Sequence, residues 1–455
     1  MKPGLLIAAA PVAVTQAGTC SNVTAYKHRF SRGSDQASSA ILLAPPPARI
    51  PHTFMIGTPL TKPLLRCLFY AGSLAAALLC SFAQAQQRDV WIGTDSHPAS
   101  KGIYHATINT ETGQLSESRL AAQIDGPGFL ALHPSGNVLY AVGALGGKDV
   151  VAAYSITPVD GKSTLKLINS LAIGDGGAAH LAVDPTGALL LTAQYGGGSV
   201  AAFSLNADGS LKARTGLVKH EGGAKVVAGR QDSPHAHWVG FSPDNRFAFV
   251  PDLGLDKVVI HKVNLATGGL APHGFGVLPG GAGPRHMKFH PNGKWIYVIN
   301  ELDLSVSVFD YNAAAGTMAI KETVATVSKA ELLKEQTSSA SEIQVHSSGK
   351  FVYAANRGHD SITGFAVNPV SGALKVIGVT NVRGATPRNF NLDPSGKWLL
   401  AAGKDSHSLA SFAVGLQTGE LIYNRSVIHT PAPICVVYGA NRTIASVSDK
   451  VAPLN

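Results

Sequence analysis

From residue 88 onward the chain alternates between two textures. Short stretches in which every second residue is apolar lead into a turn of Pro-x-Gly or Ser-x-Gly type. A nearly unbroken apolar run follows each turn. "LALHPSGNVLYAVG" (130–143), "LAVDPTGALLLTAQ" (181–194) and "MKFHPNGKWIYVIN" (287–300) show the pattern plainly. "VGFSPDNRFAFVPD" (239–252), "IQVHSSGKFVYAAN" (343–356) and "FNLDPSGKWLLAAG" (390–403) are further copies. The turns start at 133, 184, 242, 290, 346 and 393, a period of 47 to 58 residues.

Period-two alternation predicts a strand before each turn, and the apolar run predicts a second strand after it. A third run follows, as in "SVSVFDY" (305–311), then a Gly-containing turn and a fourth strand. Units of this length with four strands predict an all-β propeller. The two ends supply a further unit. "APICVVYG" (432–439) reads as a first strand with no second, and "DVWIGT" (89–94) as a second strand with no first. Pairing them closes a seven-bladed ring over about residues 88–440 and removes its open edges. An incomplete six-bladed ring is the competing architecture.

Composition agrees. The 455 residues are 45% hydrophobic and 14% charged, with 49 glycines, which favours many turns over long helices. The first 85 residues differ. Residues 1–54 lack sustained periodicity and are expected to be a disordered or non-native upstream extension, with Met55 as the start. Lys62 and Arg66, the apolar "CLFYAGSLAAALLCSF" (67–82) and "AQA" (83–85) read as a secretory signal peptide over 55–85, cleaved near Ala85. The apolar run is shorter than the ~20 residues a spanning helix needs, so no stable span is expected after cleavage. The mature protein is therefore expected to be periplasmic or secreted, with 441–455 as a C-terminal tail. The net charge of +9 is mostly leader: residues 1–85 hold seven Lys/Arg and one Asp. No basic stripe remains to argue for nucleic acid. Of four cysteines only Cys435 lies outside the leader, so no disulfide joins parts of the ring.

Aligning the repeats shows where chemistry concentrates. The residue opening the first strand is Gly128, Ala179, His237, Arg285, Ser341 or Arg388. The residue closing the second is Ala144, Tyr195, Leu253, Glu301, Arg357 or Lys404. The two strands are antiparallel, so both positions share one face of the ring. His237, Arg285, Glu301, Arg357 and Arg388 are thus expected at the mouth of the central channel. Charged groups replace Gly, Ala or Ser in only some units, so the repeat itself does not require them. A channel-facing Glu301 is expected to add little to packing. "PHAH" (234–237) places His235 and His237 two apart on one side of a strand, but no third metal ligand follows at useful spacing. "GDGGAAH" (174–180), ending at His180, lacks a strand-then-helix setting and reads as a turn. "SKAELLKEQTSSAS" (328–341) predicts a short helix in a loop over the channel. No G-x-S-x-G motif supports a serine hydrolase.

At these residues the chain resembles the lactonase family of seven-bladed propellers, which includes propeller-type 6-phosphogluconolactonases and fungal carboxy-cis,cis-muconate cyclase. The matching stretches are "RQDSPHAHWVGFSPDNRFAFVPDLGLDKV" (230–258), "GPRHMKFHPNGKWIYVINEL" (283–302), "SEIQVHSSGKFVYAANRGHDSI" (341–362) and "TPRNFNLDPSGKW" (386–398). The resemblance implies a lactone-handling site with His237, Arg285, Glu301 and Arg357 as catalytic residues. His180, His235, His286, His359 and Arg388 are candidate substrate contacts. The implied partner is a small-molecule lactone, with no metal or organic cofactor required. His237 or Glu301 would take a proton from water, and an arginine would stabilise the oxyanion or grip a carboxylate or phosphate. An export signal is a departure from enzymes of cytoplasmic phosphosugars and puts the phosphorylated substrate in question. A cyclase acting in the lactonising direction, and a non-catalytic exported propeller that binds a ligand or protein, are the alternatives.

Overall fold

The structure is a computed structural model that describes residues 86–159 and 162–443. The expected extension, the signal peptide and residues 444–455 lie outside the described residues. Those described belong to one compact unit, residues 82–455. They form seven four-stranded antiparallel sheets. Blade 1 begins at Asp125, blade 2 at Ala178 and blade 3 at Gly240. Blades 4, 5 and 6 begin at Pro284, Ser339 and Pro387. Each runs strand a, b, c, d in chain order.

Blade 7 takes its strands from both ends, in the order Pro433–Thr443, Gln86–Thr94, Gly102–Asn109, Arg119–Gln123. The pairing runs from Gln86 opposite Thr443 to Thr94 opposite Pro433. The six-bladed alternative is thereby excluded. First strands of neighbouring blades contact one another round the ring and so line its centre.

Seven buried apolar clusters fill the seven blade-to-blade interfaces. This explains why the second strand reads as continuous rather than alternating: both its faces are covered. In Trp295–Asn300 of blade 4, Ile296 and Val298 enter the interface with blade 3. Tyr297 and Ile299 enter the interface with blade 5. Burying each such side chain stabilises the ring by roughly 1.5–3 kcal/mol.

The repeat's turn also pins blade to blade. His290 Nε2 donates to Gly349 O of the next blade at 2.9 Å, and His346 Nε2 to Gly396 O at 3.0 Å. Gly349 has φ +70, and a Cβ there would meet the His290 ring at 2.6 Å. Glycine is thus required twice over, by backbone and by space. The anticipated short helix is the single turn Lys329–Leu332, capped by Ser328. No helix among the described residues is long and apolar enough to cross a membrane.

Candidate functional site

Strand phase puts the charged residues at one end of the inner strands, and the backbone adds a feature that phase alone omits. In six of the seven blades, blade 3 excepted, the first strand is bulged or irregular where it begins. In blade 4, Pro284 pairs with Asn300 and His286 with Ile299, which leaves Arg285 as the extra residue. In blade 6, Pro387 pairs with Gly403 and Asn389 with Ala402, which leaves Arg388. In blade 2 the extra residue is Ala179. A bulge re-aims side chains that strict alternation would send to opposite faces. Arg285 and His286 consequently both reach blade 5. Arg285 Nη1 donates to Ser341 O at 2.6 Å, and His286 Nδ1 contacts Glu342 Oε2 at 3.1 Å.

Glu301 is the centre of the charged group. Its Oε2 lies 2.9 Å from Arg285 Nε and 3.1 Å from Arg357 Nη2. Its Oε1 accepts from Arg230 Nη2 at 2.6 Å. Burial alone would push the carboxyl up; Arg357, Arg285 and Arg230 more than reverse this and hold it at about 2. Glu301 is only 6% exposed, so it is not the open channel-facing side chain expected to add little to packing. Removing it would strand buried guanidinium charge. Arg285 is fully buried; burial and the neighbouring Arg357 charge push it down to about 9, still protonated at neutral pH.

Three imidazoles stand beside this group. His286 meets His237 and His180 edge-on, with ring centroids 5.3 and 5.4 Å apart. Arg285 Nη1 donates to His286 Nε2 at 3.3 Å, so the His286 proton resides on Nδ1 and is donated to Glu342. Burial pushes the Glu342 carboxyl up, and Asn389 donates to it as well. Burial, reinforced by nearby cations, holds His180, His237 and His286 well below the usual 6.5. His237 is buried, and among the described residues its Nδ1 has no hydrogen-bond partner.

The remaining candidates divide. Arg388 is half-buried, close enough for its charge to depress His237 and His286, and has no hydrogen-bond or ion-pair partner among the described residues. His235 does not pair with His237 along a strand. The ladder of blade 3 begins only at Gly240, because the chain enters as a loop with one bridge, Ala236 opposite Asp252. His235 instead stacks on Tyr195 at 4.4 Å and bonds Tyr195 O at 2.8 Å. His359 sits in the turn after strand b of blade 5, bonded to Ser361 at 2.8 Å. With Glu331, Val376 and Val379 it lines a cleft of about 480 Å³ that contains none of the residues around Glu301.

Arg230, Glu342 and Asn389 were not singled out by sequence. Glu342 carried a signal, an acidic residue inside the alternating "SEIQV". Arg230 sits in a crossover outside the repeat, where strand phase says nothing.

Fold and cluster together define a seven-bladed propeller with a cationic, imidazole-lined polar site at one end of its inner strands. The chain belongs to the lactonase family of seven-bladed β-propellers: residues 89–438 match the description "Lactonase, 7-bladed beta-propeller". It is 35% identical over 348 residues to a Bacillus subtilis protein named 6-phosphogluconolactonase, covering 76% of this chain and 97% of that one. A Formosa agariphila protein of the same name is 36% identical over 339 residues, covering 72% and 92%. Among solved structures, the periplasmic gluconolactonase of Pseudomonas aeruginosa superposes with a TM-score of 0.72 at 28% identity, covering 78% of this chain and 99% of that one.

Proposed function

We propose that the protein hydrolyses an anionic, sugar-type lactone at the inner-strand cluster. One observation carries this reading. Three guanidiniums, Arg230, Arg285 and Arg357, bond the Glu301 carboxylate, Arg388 stands close enough for its charge to act on Arg285 and Arg357, and among the described residues Arg388 and the Arg357 Nε have no hydrogen-bond partner. Buried cationic charge in excess of its counter-charge is costly. A carboxylate or phosphate on the substrate would offset it, in the two-pronged geometry that arginine favours.

Within this reading the general base is His237. Glu301 is ill suited, since all three of its contacts are to guanidiniums and it stays ionised to about pH 2. Its role is to fix Arg285 and Arg357. His237 is neutral at working pH, and its Nδ1 is unpaired among the described residues. It takes a proton from water as the water oxygen bonds to the lactone carbonyl carbon. Arg357 stabilises the negative charge on the carbonyl oxygen. The ring C–O bond then breaks, its oxygen recovers the proton from His237, and the product is the open hydroxy acid. Arg388 grips the substrate's anionic substituent.

Names of relatives support both a phosphorylated and an unphosphorylated gluconate lactone. The relative described as periplasmic supports export of this chain as well. Cleavage after Ala85 would leave Gln86, the first residue of the closing strand, at the new N-terminus. N-terminal sequencing of native protein tests that point.

The functional test is a pH-stat assay of residues 86–455 against gluconolactone, 6-phosphogluconolactone and muconolactones. Hydrolysis of an anionic lactone with the higher kcat/KM is expected; failure on every lactone sinks the reading. Burial chiefly holds His237 down, and a bound anion would offset the nearby cations that add to it. The acid limb of kcat, set in the complex, should therefore lie at higher pH than that of kcat/KM, set in the free enzyme.

A further inference from the structure

The crossover between blades 2 and 3, residues 220–239, is long and firmly built. Ala224 N donates to Gly254 O at 2.8 Å, and the His235 N–H donates to Asp252 Oδ1 at 2.7 Å. Gln231 is fully buried and donates to Leu253 O at 2.9 Å and Asp256 Oδ1 at 2.7 Å. This anchoring sets Arg230, the residue before Gln231. The Arg230 side chain is 40% exposed, yet its Nη2 lies 2.6 Å from Glu301 Oε1 and 3.4 Å from the Tyr195 hydroxyl.

Those two contacts join the halves of the cluster. Glu301 Oε2 is occupied by Arg285 and Arg357, so Arg230 is the hydrogen-bond partner of the other oxygen. Tyr195 meets His237 edge-on with ring centroids 5.3 Å apart. Both contacts run from the one nitrogen Nη2, whose two N–H bonds are held in fixed directions by the planar guanidinium, whereas the N–H bonds of a lysine ammonium rotate freely.

We infer that Arg230 is a positioning residue: from the crossover it clamps Glu301, fixes the Arg285 and Arg357 guanidiniums through it, and ties them to the His237 side through Tyr195. This role rests on the lactonase reading for its catalytic consequence, but not for its effect on Glu301.

The test uses residues 86–455 with ¹³C-labelled glutamate carboxyls, in wild type, Arg230→Gln and Arg230→Lys. The groups facing Glu301 are Arg230 from the crossover, Arg285 from blade 4 and Arg357 from blade 5, so removing one leaves two. The expected result is that the Glu301 carboxyl of Arg230→Gln titrates at least one pH unit higher than in wild type. The kcat on the best lactone should fall ~10- to 100-fold with KM changed far less, the pattern of lost orientation rather than lost binding. Arg230→Lys should recover the titration but not the full rate. Added guanidinium ion should restore part of the rate to Arg230→Ala. An unchanged Glu301 titration in a folded Arg230→Gln protein overturns the inference, and so does a shifted titration with wild-type kcat. A wild-type protein that hydrolyses no lactone would sink the functional reading, while the titration would still decide whether Arg230 holds Glu301.

Discussion

Blades 4 and 6 carry the same device and put it to different ends. Each opens with a Pro-Arg pair, "GPRH" and "TPRN", and each places the arginine as the extra residue of a bulge. Backbone position is therefore shared. Arg285 is nonetheless fully buried and bonded to Glu301 and Ser341, whereas Arg388 is half-buried and has no hydrogen-bond or ion-pair partner among the described residues. The difference traces to one position. Strand b of blade 4 is followed by Glu301, and strand b of blade 6 by Lys404, which turns to Asp95 and Asp405 at 3.4 and 3.5 Å. A carboxylate at this register makes the arginine part of the protein's own network. A lysine leaves it as an unspent cation. The repeat supplies the position, and the residue opposite decides whether it becomes framework or ligand contact.

The largest effects should come from blade 4 and its neighbours. His237→Asn removes the proposed base and should lower kcat by ~10²-fold or more with little change in Tm. Glu301→Gln should also cost ~10²-fold and, in addition, destabilise by about 3–5 kcal/mol, because buried Arg285 and Arg357 lose their counter-charge. Wild-type Tm with lost activity would show that Glu301 is chemical and not structural; wild-type activity would remove the residue-level support for the site.

Acid stability gives a second, smaller contrast. His180, His237 and His286 are held neutral by burial, so only the unfolded chain protonates at these positions just below about pH 6.5. Stability should therefore fall as pH drops below about 6.5, by roughly 1.4 kcal/mol per pH unit for each histidine. Glu301 is ionised in the fold down to about 2, against an ordinary value of 4.5, and its contribution is lost as pH falls between those values. Unfolding followed from pH 7 to 3 should show both limbs, with the lower one missing in Glu301→Gln. A flat profile between pH 6.5 and 5 would mean that the imidazoles already carry charge in the fold.

Why was so much of this legible in the sequence, and where did legibility stop? The ring followed from spacing, because each blade repeats one hydrogen-bonded unit and both faces of strand b must be apolar. The convergence of Arg285, Glu301 and Arg357 followed from strand phase, because antiparallel strands bring those ends together whatever the side chains. The bulges did not follow: one extra backbone residue leaves no mark on an apolar pattern that begins only at Met287 or Phe390. Arg230 was invisible to phase because a crossover has no period. The burial of Glu301 was misjudged because a residue that faces a channel can still be sealed by neighbouring guanidiniums, and periodicity does not report how far those side chains reach.

The smallest expected effect tests the comparison most directly. Arg388→Gln keeps a polar side chain at the bulge of blade 6 and breaks no hydrogen bond or ion pair among the described residues. Tm should therefore move by no more than a surface substitution would move it, within about 0.5 kcal/mol of stability. If Arg388 grips the substrate's anionic group, KM for an anionic lactone should rise ~10-fold, the scale of one charge-assisted contact. The same substitution should leave a neutral lactone's KM nearly unchanged, and kcat on both should hold. Raising the salt concentration should weaken the wild type's preference for the anionic lactone and have less effect on the variant. Equal KM changes for charged and neutral lactones would show that Arg388 shapes the site without reading charge. No change for either would place it outside the site, and the Pro-Arg pair of blade 6 would then be a relic of the repeat.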